Sequence, residues 1–287
     1  MRTTIDCIPC FLNQSIEAAR MATTEESKQV EVVKQVMNHL QTIDFTCSPP
    51  EISKHVHHII RTVTGNNDPY KTVKMKANKF AKKQYPMLKR MVDKSTDPLL
   101  LSTKLAIIGN VIDFGTMNRM DVTEMITSIA QRAIDDVAYS QFKQRINEAE
   151  TIVYLADNTG EIFFDRLLLE QITKKDQSVT YVVKQHPIIN DATHKDALYA
   201  GIDAYAHIIA GDKEAPYSAP GIIASNMSTE LKTLLHNTDM VISKGQGNYE
   251  SLNNVDREIF FLLMIKCPRV AESIGIDVGT MVLKVTS

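Results

Sequence analysis

TIVYLADNTGEIFFDRLLLEQI, residues 151–172, decides the fold. TIVYLA is apolar on both alternating faces and reads as a strand covered on both sides. Asp157 and Asn158 end it abruptly. Thr159 and Gly160 follow, and apolar residues then recur at helical spacing. A strand that turns through a short polar loop into such a helix opens a βαβ unit. The rhythm continues downstream. SVTYVVK (178–184) is a strand, NDATHKDALYA (190–200) a helix, AYAHIIA (204–210) a strand and 226–236 a helix. MVISK (240–244) and FFLLMIK (260–266) are further strands. Such alternation predicts an α/β fold with a parallel, Rossmann-like sheet.

Upstream the period is 3.6 throughout. Ile5, Ile8, Leu12, Ile16 and Ala19 share one face. Val33, Val36, Met37 and Leu40 share another, as do Ile52, Val56, Ile59 and Val63. CSPPEIS (47–53) breaks the chain and starts a new helix, and Asp121 with Glu124 resembles a capping box. The expected organisation is a mostly helical domain over 1–149 and an α/β domain over 150–287.

With 287 residues, 44% hydrophobic, 23% charged and a net charge of −2, the composition is that of an ordinary globular protein. It gives no reason to expect nucleic acid or an anionic membrane as partner. No apolar run approaches the roughly 20 residues of a membrane-spanning helix. MRTTIDCIPC lacks the apolar core of a secretion signal, so a cytoplasmic location is expected. Four cysteines fit a reducing compartment. Cys7 and Cys10 form a CxxC with no second pair, which reads first as two small buried thiols; metal or redox roles stay open. Oligomeric state is not legible.

Ligands of open α/β sheets bind at the carboxyl ends of the strands. There the sequence places Asp157, Asn158, Thr159, Gly160 and Glu161, then Lys184 to Asp191, then Gly211 and Asp212, then Lys244 to Glu250. Asp157, Asn158 and Asp191 offer hard oxygen donors, suited to Mg²⁺ or a similar divalent ion. The helix after Gly160 directs its N-terminal amides at an anion. Lys244 adds a mobile positive charge. Together these describe a phosphoryl-binding site. Each has a plainer reading: Asp157 and Asn158 as a turn and cap, Asp191 as a helix N-cap, Lys244 as part of a glycine turn. The loop after the first strand lacks GxGxxG, and no GxxxxGK[ST], GxSxG or paired-histidine zinc motif is present.

Three more stretches stand out. IIGNVIDFG (107–115) carries Asn110 and Asp113 one turn apart, either on an exposed stripe or facing the site across a cleft. HVHH (His55, His57, His58) reads as solvated surface rather than a metal cluster. Lys71 to Arg90 holds eight basic residues and no acid, a solvated face that also draws anions.

DNTGEIFFDRLL, VVKQHPIINDATHKDA, SKGQGNYESL and GNVID together resemble the DUF89 family of metal-dependent phosphatases, also called damage-control phosphatases. DCIPCFLNQ resembles the CxxC-bearing prokaryotic branch. The resemblance spans nearly the whole chain. It implies a helical domain packed on a Rossmann-like domain. It implies a divalent ion (Mg²⁺, Mn²⁺, Co²⁺ or Ni²⁺) held by Asp157, Asn158 and Asp191, and hydrolysis of small phosphorylated metabolites such as sugar phosphates. Lys184-Gln185-His186-Pro187 departs from the VKGGP of that pattern.

The expected chemistry is a metal-oriented water attacking phosphorus. Lys244, Thr159 and the amides from Gly160 bind the phosphoryl oxygens, and Asn110 and Asp113 contribute from across the cleft. Glu161 or Asp113 accepts the water's proton. Asp157 as a phosphorylated nucleophile ranks second. An S-adenosylmethionine-dependent carboxyl methyltransferase and a non-catalytic metal- or metabolite-binding protein are the competing classes.

Overall fold

The structure, a computed structural model, describes residues 1–109, 128, 131–173, 176–213 and 217–286. The expectations for Asn110, Asp113, Asp121 and Glu124 lie outside the described residues. Among the described residues six strands form one sheet: β1 (Thr151–Leu155), β2 (Ser178–Val183), β3 (His207–Ala210), β4 (Met240–Lys244), β5 (Ile259–Met264) and β6 (Met281–Thr286). Their order is β3-β2-β1-β4-β5-β6, parallel except for β6, which runs antiparallel to β5. The winding reverses between β1 and β4, which opens a crevice at their carboxyl ends.

Alternate strand residues bury into opposite faces. Ile152, Tyr154, Tyr181, Ile242 and Phe260 point to one core, and Val153, Leu155, Val182, Val241 and Phe261 to the other. Helices α4 (Lys71–Asp93), α5 (Pro98–Ile108) and α6 (Asp136–Glu148) precede β1. With α7 (Ile162–Ile172) and α8 (His194–Ala200) they cover the first face. The second face is covered by α9 (Thr229–Asn237), α10 (Gln246–Leu252) and α11 (Pro268–Ile274). The first three helices, α1 (Cys7–Ala22), α2 (Glu26–Leu40) and α3 (Pro49–Thr64), form a separate bundle around Phe11, Val32, Val36, Val56 and Ile60. The secondary structure changes character near residue 149. The packing changes after α3, because α4–α6 share a core with the sheet.

α3 starts as its sequence dictates. Ser48 and Glu51 close a capping box ahead of Pro49 and Pro50, and Gly65 ends the helix left-handed. His57 departs from the solvated reading of HVHH. It is buried, Nε2 lacks a hydrogen-bond partner, and burial lowers the imidazole to about 3. His58 stacks on Tyr217 at 4.2 Å. The basic run of α4 is mostly solvated, although Lys74 is buried against Asp68 at 2.8 Å. No helix among the described residues is long and apolar enough to cross a membrane.

Candidate active site

The loops leaving β1 and β2 are stitched together by backbone. Thr159 N–H donates to the Asn190 carbonyl at 2.8 Å, and Ala192 N–H donates to the Asp157 carbonyl at 2.8 Å. Asn158 and Asp191 pair as an isolated antiparallel bridge between these bonds. Asp157, Asn158 and Asp191 are thereby brought side by side in the crevice. Asp191 is not a helix cap. Thr193 caps α8, in a capping box with Asp196, and this leaves the Asp191 carboxylate without that duty. Gly245, after β4, closes the third side. Its φ is +82°, and a Cβ there would sit 1.9 Å from Asp157 Oδ2, so only glycine fits against the carboxylate.

Asn158 Nδ2 donates to Asp157 Oδ2 at 2.8 Å and to Glu161 Oε2 at 3.4 Å. These two contacts direct the N–H groups of the amide at carboxylates and fix its orientation. Asp191 Oδ2 is buried with no hydrogen bond, and Lys184 Nζ, equally buried and without one, stands 3.7 Å away. Burial and the Asp191 charge push Asp157 up to about 7. Burial pushes Asp191 up to about 7 against the pull of Lys184, and Asp212 adds to it. Negative charge is in excess here, and a cation would relieve it. Among the described residues no three His, Cys, Asp or Glu side chains form a metal cluster. The available donor set is two carboxylates and a carboxamide, the hard oxygen chemistry that suits a magnesium-like ion.

Lys244 is not a mobile charge. It is wholly buried, ion-paired with Glu161, and its Nζ donates to Asp165 Oδ1 at 2.7 Å. Burial lowers its proton affinity, but the two carboxylates outweigh that and hold it above the ordinary lysine range. Asp165 in turn accepts from the Tyr154 and Tyr181 hydroxyls at 2.8 and 2.7 Å. Glu161 is buried in the same cluster and pushed up to about 8, mainly by burial. Its contacts orient Asn158; they do not reach water. Gly160 also departs from expectation. It is left-handed at φ +77°, and its N–H is taken by Asn78 Oδ1 of α4 at 2.8 Å. The hydroxyl of Thr159 is buried and has no partner. The side chain that sequence reasoning undervalued is Lys184. Its position at the end of β2 was the one available signal.

The family description "Damage-control phosphatase ARMT1-like domain" matches residues 3–282. The chain belongs to this family. It is 33% identical to a damage-control phosphatase of Archaeoglobus fulgidus over 97% of each chain. It is also 35% identical to an uncharacterised protein of Methanocaldococcus jannaschii, over 97% of this chain and 93% of that one. The crystal structure of a DUF89 family protein from Pyrococcus horikoshii superposes with a TM-score of 0.92 over the full length of both chains, at 30% identity.

In this member of the damage-control phosphatase family the three oxygen donors open into a cleft of about 290 Å³ between the sheet edge and the α1–α3 bundle. Phe11, Pro50 and Ile189 give it an apolar wall, and Gln14, Gln246 and Lys266 a polar one. Ile189 holds φ +43°, an unusual value for a β-branched residue, and packs against the α1–α3 core. Cys7, Cys10 and Cys267 line the same cleft. The first two are therefore not core thiols: Cys7 is half-buried and Cys10 exposed.

Proposed function

We propose that this protein is a divalent-metal-dependent phosphatase of small phosphorylated metabolites, sugar phosphates among them. One observation carries the reading. At the point where the sheet reverses its winding, Asp157, Asn158 and Asp191 stand together, with the buried Lys184 ammonium 3.7 Å from the Asp191 carboxylate. The names of the Archaeoglobus and Pyrococcus relatives, damage-control phosphatases, agree with it.

Asp157, Asn158 and Asp191 would hold Mg²⁺, Mn²⁺, Co²⁺ or Ni²⁺ through side-chain oxygens. Such an ion supplies Lewis acidity toward a phosphate oxygen and lowers the pKa of a water. Lys184 Nζ, 3.7 Å from Asp191, would neutralise charge that grows on the phosphoryl oxygens. The Thr159 hydroxyl adds a hydrogen bond from the other loop. Glu161 and Lys244 lie beneath and fix the Asn158 amide through the Nδ2 contact. They are positioning residues. The apolar wall formed by Phe11 and Pro50 excludes water behind the ester. The cleft volume limits the ester to small metabolites.

Asp157 as nucleophile ranks lower because its Oδ2 already accepts from Asn158. Methyl transfer from S-adenosylmethionine ranks lower because a single glycine, Gly160, follows β1 where such cofactors meet a glycine-rich loop. Phosphate release from p-nitrophenyl phosphate and a panel of sugar phosphates tests the proposal, using metal-stripped protein with and without Mn²⁺ or Co²⁺. Saturable, metal-dependent release is expected. Release that is equal with and without metal, or absent throughout, overturns it.

A further inference from the structure

The CxxC is a feature that phosphoryl chemistry does not use. Cys7 is the first residue of α1 and Cys10 lies one turn on. At about 1.5 Å rise per residue, positions three apart on a helix have Cα atoms roughly 5 Å apart, inside the range a disulfide spans. Both thiols are free and both line the cleft that contains Asp157, Asn158 and Asp191. Core thiols would be enclosed, yet Cys10 is exposed, and Gln14 Nε2 donates to its sulfur at 3.5 Å. Cys267 lines the same cleft and accepts from Gln246 Nε2 at 3.5 Å.

We propose that Cys7 and Cys10 form a thiol–disulfide exchange site inside the substrate cleft, reacting with small disulfides of the glutathione type. Cys10, the more accessible thiol, attacks as its thiolate. The reagent's S–S bond breaks, one thiol leaves with a proton, and a mixed disulfide remains on Cys10. The Cys7 sulfur then attacks that bond and expels the second thiol. In sum, two protein thiols are oxidised to one disulfide and one small disulfide is reduced to two thiols. Partial burial and the charges of Glu250, Cys267 and Cys7 push the Cys10 thiol up, so exchange accelerates as pH rises. The mixed disulfide projects into a cleft of about 290 Å³ and excludes a phosphate ester. This consequence for turnover rests on the phosphatase reading.

The test is incubation of the full chain with oxidised glutathione, followed by alkylation and peptide mass mapping. In the wild type, a Cys7–Cys10 bridge and loss of two alkylatable thiols are expected, and Cys267→Ser keeps that bridge. In Cys7→Ser the second step is blocked, so a glutathione adduct accumulates on Cys10. Phosphate release by the adducted protein falls and returns with dithiothreitol. Four freely alkylatable thiols at equilibrium, a bridge that requires Cys267, or an adducted Cys7→Ser protein as active as its reduced form each overturn the proposal. Failure of the phosphatase reading shows up differently, as absent turnover in the reduced wild type. The exchange chemistry is then judged on the mass map alone.

Discussion

Lys244→Met separates the two strand-end lysines. Lys244 Nζ sits wholly buried between Glu161 and Asp165, both buried as well. Methionine keeps much of the stem and deletes the charge, so two carboxylates are left facing each other without a cation. Removing one partner of a buried ion pair costs about 3–5 kcal/mol. The tyrosine hydroxyls on Asp165 stay in place and soften the loss, which puts the expectation at the lower end of that range. At about 2–4 °C per kcal/mol for a chain of this size, the melting temperature should fall by roughly 6–12 °C. The assay is thermal and urea unfolding of metal-free protein. Adding Glu161→Gln to Lys244→Met should recover part of the loss, since a neutral amide no longer needs the ammonium. A drop below about 2 °C, or no recovery in the double variant, would refute the assignment of Lys244 to a structural ion cluster.

Lys184→Met should differ in its effect on turnover: kcat should fall by roughly 10²–10³, as for one preorganised donor, read by steady-state kinetics. The melting temperature of the metal-free protein should also fall because the buried Asp191 loses its cation, a loss that added Mn²⁺ should partly recover. Gly245→Ala should abolish Mn²⁺ binding in calorimetry, because its Cβ would displace the Asp157 carboxylate; unchanged affinity would show that Asp157 is not a ligand. His57 is held neutral at about 3 while the unfolded chain protonates it near 6.5. Its folded pKa is depressed, so its contribution is present above about 6.5 and lost as pH falls toward 3, on the order of 2 kcal/mol by about pH 5. His57→Leu should flatten that part of the pH–stability curve in urea melts, and an equally steep decline in the variant would sink the argument.

The α/β alternation was legible because strands buried on both faces leave unbroken apolar runs, as in TIVYLA and FFLLMIK. The final strand, β6, escaped because MVLKVT mixes a half-exposed Lys284 into an edge position, and an antiparallel edge has no fixed sequence spacing from its partner. Asp157, Asn158 and Asp191 could be picked out as strand-end polar residues. The choice between Asp191 and Thr193 as cap of α8 could not, since NDAT offers both. The fate of Lys244 depended on Glu161, 83 residues away in sequence, and that of the Gly160 amide on Asn78, 82 residues away. Such pairings are set by tertiary packing and leave no local trace. The same holds for the cysteines of α1, remote in sequence from the oxygen donors and adjacent to them across the cleft.

The central claim is that Asp157, Asn158 and Asp191 hold a divalent ion. Anomalous diffraction from a Mn²⁺-soaked crystal tests it most directly. The account predicts one strong peak in the crevice between β1 and β4, with an oxygen of each of the three side chains at about 2.0–2.6 Å. A peak elsewhere on the chain, or none here at saturating Mn²⁺, would contradict it.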